Sequence, residues 1–389
     1  MKSPALILGD GVAGLLLALG LRDRGFDVIL LSRPLQAPSD SPLICPQLVL
    51  DFFQRLDPRL VTDLVSAGSI LRDHQALLRE KFPGLSGNAS SVKSFLFLSR
   101  GLLLQKLRSL ARERGVSFLA AEFMSLVVDN GEVRGVQTEA SALDASLVFD
   151  CTGASSPPER RSEIGDVLYQ RFYRSSDRPV LALRSVPGRR GGLYPVEGNR
   201  FALSLTLAED PGMDGIGAVA ENFLETLGKS GDLRRSEPEG PWVCVRRETS
   251  ASAYYENSTL QIRGYYPVGE KVLASPPIYG RGISLAVLQM APALTSIHPG
   301  SSPEEIFKEL KKGFREAKKK WQEVAERRSF GQGLVTNWGL ELLEKYPAAY
   351  ERYLEFYQLE RSPMKLFLSL IVARLSSRSV SASRSQSPA

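Results

Sequence analysis

The run Gly9-Asp10-Gly11-Val12-Ala13-Gly14 constrains this chain more than any other six residues. It follows an apolar run, Ala5–Leu8, that reads as a buried strand, and it opens an apolar stretch to Leu21 that reads as a helix. Gly25–Ser32 then reads as a second buried strand, so the glycines sit inside a complete βαβ unit. Each glycine has its own physical purpose. Gly9 permits the tight turn, Gly11 lets backbone approach phosphates, and Gly14 lets helix and strand pack closely. A helix starting at Val12 and Ala13 offers unpaired N–H groups and a partial positive charge to a pyrophosphate.

Two neighbours complicate the turn. Asp10 places a carboxylate near the phosphate position, which is tolerable only if the side chain points away. The second strand ends in Ser32-Arg33, where such folds place an acidic residue to hold a ribose hydroxyl. Ser32 makes a single hydrogen bond instead of a carboxylate's two, and Arg33 suits a phosphate-bearing ribose or a stacked adenine.

A chain of 389 residues implies two or three structural units with a large core. Cys45, Cys151 and Cys244 have no CxxC spacing and read as free thiols of a reducing compartment. His74 and His298 are too few and too isolated for a histidine-based metal site. The N-terminus reads as a strand, not as a secretory signal, and no segment offers about 18 uninterrupted apolar residues, so the expected location is the cytoplasm. From Ser301 onward there are 16 Lys+Arg against 11 Asp+Glu, which is five of the net +6. The basic charge therefore belongs to a C-terminal appendage and does not argue for a nucleic-acid partner.

Further along, Pro34–Pro46 reads as a Pro- and Ser-rich loop and Leu102–Arg114 as a helix. Gly115–Phe118 and Ser125–Asp129 read as strands, with Asn130-Gly131 turning into Val133–Thr138. Ser146–Phe149 is a short apolar strand leading into Asp150-Cys151-Thr152-Gly153. Between Gly165 and Arg263 the pattern suits an antiparallel sheet, with strands at Val180–Leu183, Phe201–Leu207 and Trp242–Val245. Glu304–Arg328 reads as a solvated helix. The apolar Met364–Leu375, within residues 362–375, either packs on the body or lies on an anionic membrane surface.

These residues resemble a family. Leu147–Gly153 is similar to the VVDATG segment of flavoprotein hydroxylases of the p-hydroxybenzoate hydroxylase type. Pro267-Val268-Gly269-Glu270 and Pro276–Ser284, with Ala286, resemble their GDA…NPIYGxGMSxA segment. Leu98-Ser99-Arg100 and the leucines after it resemble the SRxxLxxxL helix. Gly191–Glu197 resembles a substrate-domain strand of relatives called 2-polyprenyl-6-methoxyphenol hydroxylase-like. The resemblance spans residues 1 to about 295.

It implies an α/β fold: an FAD-binding Rossmann-like domain interrupted by an antiparallel-sheet substrate domain, with a C-terminal helical extension. The expected divisions are 1–80, 98–164 and 264–300 for FAD, 81–97 and 165–263 for substrate, 301–375 for the extension and 376–389 for a disordered tail. It further implies FAD contacts from Gly9, Gly11, Val12, Ala13, Gly14, Ser32, Arg33, Arg100, Thr152, Gly153, Gly269, Glu270, Pro277, Gly280, Gly282 and Ile283. Glu270 stands where the family has Asp, and Lys271-Val272-Leu273 replaces a pair of alanines. Tyr194, Tyr265 and Tyr279 are candidate substrate contacts, and Cys151 reads as packing.

The implied activity is an FAD-dependent oxidoreductase, a monooxygenase using NAD(P)H and oxygen on an aromatic or lipophilic small molecule. Two alternatives stay open: a flavin-dependent isoprenoid reductase of the geranylgeranyl type, and a non-catalytic binding module on the same fold. The oxidoreductase readings require the turns at Gly9–Gly14 and Gly280–Gly282 to face one pocket.

Overall fold

The structure, a computed structural model, describes residues 4–33, 40–82, 93–153, 161–162, 167–176, 181–186, 188–227, 235–245, 249–251, 254–256, 262–275, 280–325 and 346–359. The chain begins as expected, with β1 (Ala5–Leu8), α1 (Val12–Asp23) and β2 (Val28–Ser32). Next come β3 (Pro42–Pro46), α2 (Gln47–Leu56), α3 (Leu60–Ser66), β4 (Ile70–Asp73), α4 (His74–Lys81), β5 (Ser94–Ser99), α5 (Arg100–Glu113) and β6 (Ser117–Ala120). A meander follows: β7 (Phe123–Asp129), β8 (Glu132–Thr138) and β9 (Ala142–Asp144). The chain re-enters the first layer at β10 (Leu147–Asp150).

An insertion then runs through β11 (Arg161–Ser162), β12 (Val167–Arg174), β13 (Ala182–Val186), β14 (Arg189–Pro195), β15 (Arg200–Leu207), α6 (Gly212–Thr226), β16 (Glu237–Val245) and β17 (Thr249–Ala251). It returns at β18 (Tyr265–Pro267) and β19 (Leu273–Ala274), after which the regular elements among the described residues are helices. These are α7 (Gly282–Ser296), α8 (Pro303–Ala325) and α9 (Pro347–Tyr357).

The floor of the molecule is a parallel sheet in the order β18-β10-β1-β2-β6. Its strands are short and almost wholly apolar because both faces are covered, as parallel sheets require. Helix α1 is buried from Gly14 to Leu21 and packs against α7, so the N-terminal and late segments share one core. Gly20 faces the Leu294 side chain, which leaves no room for a larger residue at that crossing.

The insertion forms an antiparallel sheet in the order β13-β14-β15-β12-β16. On β15 the alternation is explicit: Phe201, Leu203, Leu205 and Leu207 pack under α6, while Ala202 joins the opposite face with Phe172, Val196 and Tyr194. Among the ties between the two layers is an ion-pair and hydrogen-bond cluster at Glu197. Glu197, beyond β14, accepts a hydrogen bond from the Ser99 amide (2.8 Å) and pairs with Arg200 (2.9 Å).

The loop expected over Pro34–Pro46 is corrected in its second half. Residues 42–46 form β3, paired antiparallel with β5 from Pro42↔Ser99 to Pro46↔Phe95. Both prolines lie at strand ends, where a missing N–H is tolerated, and Cys45 between them is fully buried. Strand β5 also runs across the 97/98 division, since all of it pairs within the β3-β5-β4 sheet. Residues 362–375 and 376–389 lie outside the described residues. Among those described, no helix is long and apolar enough to cross a membrane.

Candidate cofactor site

The first turn follows β1 and its glycines are enforced by contact. Gly9 has φ +96°, and a Cβ there would stand 2.8 Å from the Cys151 carbonyl oxygen. A Cβ on Gly14 would overlap the Gly9 carbonyl oxygen. Gly11 is different: a Cβ there would meet only the Arg100 guanidinium, at 3.9 Å. The Arg100 guanidinium therefore lies beside this turn. Asp10 is turned away and bound to Arg108 at 2.7 Å, which satisfies the condition its position imposed.

Gly11 is the N-cap of α1, contributes no side-chain cap, and is followed by a first turn without acids. The helix therefore presents its first N–H groups and its positive end toward Gly9–Gly11. Ser32 ends β2 half-buried, one strand over. Arg33 is exposed and lies 4.0 Å from Glu122, so its charge is directed outward.

The second turn follows β10. Asp150 is 2% exposed, and its carboxylate accepts from the Thr152 amide (3.0 Å), the Thr152 hydroxyl (2.6 Å) and the Tyr265 hydroxyl (2.7 Å). The Lys271 ammonium completes the set at 3.2 Å. A buried carboxylate needs such partners. Tyr265, a candidate substrate contact from sequence, instead braces this acid, and burial followed by the Asp150 charge pushes its phenol pKa up. Arg108 is not singled out in the sequence, and Lys271 stands there only as a departure from the family's alanines. A lysine in place of a small residue carries no signal until the buried acid beside it is seen.

Gly153 (φ +79°) ends that turn, and burial pushes the neighbouring Cys151 thiol well up, as suits a packing residue. The third segment closes the site. Gly269 has φ +70°, its amide donates to the buried Gln289 side chain at 2.6 Å, and a Cβ on it would lie 3.0 Å from that of Ala13. The Glu270 carboxylate stands between two turns. One oxygen is 3.8 Å from the Cβ position of Gly153 and the other 3.5 Å from that of Gly282.

The structure thus brings Gly9–Gly14, Arg100, Thr152-Gly153, Gly269-Glu270 and Gly280–Ile283 to one region. Gly280 (φ +58°) abuts the Tyr357 hydroxyl, which a Cβ would overlap. Pro277 and Tyr279 lie outside the described residues. His74 sits in the core at the start of α4, stacked on Phe95 at 5.4 Å, with its pKa lowered by burial.

A parallel sheet with glycine turns at its strand ends, roofed by an inserted antiparallel sheet, is the fold of flavin-dependent monooxygenases and halogenases. Neither a protein-family model nor a curated protein sequence matches the chain. Solved structures do match. The flavin-dependent brominase Bmp2 superposes with a TM-score of 0.68 at 16% identity, over 98% of this chain and 100% of that one. PqsL of Pseudomonas aeruginosa, a probable FAD-dependent monooxygenase, gives 0.58 at 15% identity, over 94% and 99%. The flavin-dependent monooxygenase PieE, in complex with FAD and substrate, gives 0.62 at 18% identity, over 92% and 71%.

Proposed function

We propose that the protein is an FAD-dependent oxidoreductase, a monooxygenase that takes electrons from NAD(P)H and acts with oxygen on an aromatic or lipophilic small molecule. The observation that carries this reading is the position of Glu270, a carboxylate held between the turns at Gly153 and Gly282 while Gly269 packs on Ala13. Segments far apart in sequence make one elongated cradle, and an elongated dinucleotide is what such a cradle fits.

The residues present suit FAD along its length. Arg100 and the open end of α1 suit the pyrophosphate, and Glu270 suits a ribityl hydroxyl. Ser32 suits the adenosine ribose. The N-terminal end of α7, starting at Gly282 with no acid in its first turn, would offer a partial positive charge to a bound flavin. Bound FAD supplies the two-electron chemistry and the reaction with oxygen. The chain's part is to orient and to keep water out. The Asp150–Thr152–Lys271 cluster holds the second turn in place, and Gln289 fixes the Gly269 amide.

Coverage of 94% or more in both directions for Bmp2 and PqsL supports the same reading, since the likeness reaches the helices after residue 300. The test is the absorption spectrum of the purified protein, then NAD(P)H oxidation with candidate phenols. The expected result is a flavin band near about 450 nm and phenol-stimulated, oxygen-dependent turnover. A colourless protein that stays colourless after FAD is added overturns the assignment. Product formed without oxygen would point to the reductase alternative, and a brominated product in bromide to halogenation.

A further inference from the structure

We propose that Arg200 is a positioning residue for the cofactor: standing in the roof, it holds two carboxylates at the start of α5 away from Arg100 and so keeps that arginine for a pyrophosphate. The inference rests on the flavoprotein reading, which gives Arg100 its anion.

Arg100 is flanked by acids on both sides of its own backbone. Ser99, the residue before it, donates its amide to Glu197 (2.8 Å), and Gly101, the residue after it, donates its amide to Asp40 (2.8 Å). Two carboxylates seated there are natural partners for a guanidinium that leaves from between them. The Arg100 guanidinium nonetheless lies beside Gly11, 3.9 Å from where a Cβ would stand.

The way these acids divide their oxygens gives a physical reason. Glu197 gives Oε2 to the Ser99 amide and Oε1 to the Arg200 guanidinium (2.9 Å). Asp40 gives Oδ1 to the amides of Ser41 (3.0 Å) and Gly101, and turns Oδ2 toward Arg200 (3.8 Å). A third acid, Glu239 of β16, accepts from Arg200 Nε (2.6 Å) and holds Arg174 with its other oxygen (2.8 Å). One guanidinium thus faces three carboxylates, with the Phe172 ring centre 4.9 Å away. The Arg200 side chain is 22% exposed and that of Glu197 15%, so water screens the cluster only in part. Without the Arg200 charge, three acids would share Arg174, which is itself well exposed. Asp40 and Glu197 would then draw Arg100 back onto the α5 end.

The cluster also spans the two layers. Arg200, Glu197 and Glu239 belong to the roof, whereas Asp40 and α5 belong to the floor. Affinity at the pyrophosphate end of the cradle therefore depends on the seating of the roof, through a single arginine.

The test is fluorescence titration of the cofactor-free full chain with FAD, each variant being checked for an intact melting transition. Arg200→Met should weaken FAD by about tenfold, as much as loss of Arg100 itself. In an Arg100→Ala background the same change should add little, because no guanidinium remains to be captured. Adding Asp40→Asn and Glu197→Gln to Arg200→Met keeps the amide hydrogen bonds without the charges, and should restore most of the lost affinity. A merely structural role for Arg200 gives no such recovery. Arg200→Lys keeps the charge and loses the fork, so it should fall between wild type and Arg200→Met. It carries the same comparisons if Arg200→Met does not fold. Unchanged FAD affinity in both variants overturns the proposal. So do losses that add to that of Arg100→Ala, or that deepen when the two acids are neutralised. A wild-type protein that binds no FAD overturns the flavin reading itself; one that binds FAD no better than the Arg200 variants overturns this proposal alone.

Discussion

Helices α1 and α5 begin on either side of the same glycine turn, and their first N–H groups have opposite fates. In α5 the first three are all taken. Arg100 donates to the Ser41 carbonyl (2.8 Å), Gly101 to Asp40 (2.8 Å) and Leu102 to the Ser99 hydroxyl (3.2 Å). In α1 the cap is a glycine with no side chain, and no acid follows in the first turn. A helix closed by its own neighbours has nothing left to give a ligand through its backbone. On the proposed reading, α5 would reach the pyrophosphate through a side chain, Arg100, and α1 through its end, two routes to one anion from two ways of capping.

The largest way to break this contrast is Gly14→Ala, which forces a methyl into the Gly9 carbonyl. Displacing that turn should cost about 3 kcal/mol or more, seen as lost soluble yield or a collapsed melting transition. Gly11→Asp is the sharpest. The space beside Gly11 admits a side chain, so the new carboxylate should cap α1 and stabilise cofactor-free protein by roughly 0.3 kcal/mol, read as a slightly higher melting temperature. The same carboxylate should weaken FAD about 100-fold in fluorescence titration, by occupying the N–H groups and repelling phosphate. Stability and affinity moving in the same direction would refute a ligand role for the α1 end.

Arg100→Ala should weaken FAD by about tenfold in the same titration, through loss of one charge-assisted contact. Ser99→Ala is the smallest and complementary change. It should lower stability by about 1 kcal/mol in chemical denaturation and leave the FAD titration alone, because that cap is spent inside the protein.

Much of the cofactor floor is legible in the sequence because glycine positions report backbone needs directly. Gly9, Gly14, Gly153 and Gly269 each occupy a place where φ or a neighbour forbids a side chain. The Asp10–Arg108 pair is not legible, since the partners are 98 residues apart and each alone looks like a surface charge. Strand β3 was hidden by its composition. Its prolines signal a loop, and only the β5 ladder shows that they sit at permitted ends.

The pairing of β10 with both β1 and β18 has a consequence for how the molecule is made. The third parallel strand of that trio emerges from a ribosome more than 250 residues after the first. The nascent N-terminal unit must wait through synthesis of the whole roof with the β10 edge unpaired and one side of α1 bare. Chains stopped before Tyr265 should accordingly be prone to aggregate, and added FAD should not rescue them, because the glutamate and the last helix end of its cradle have not yet been made.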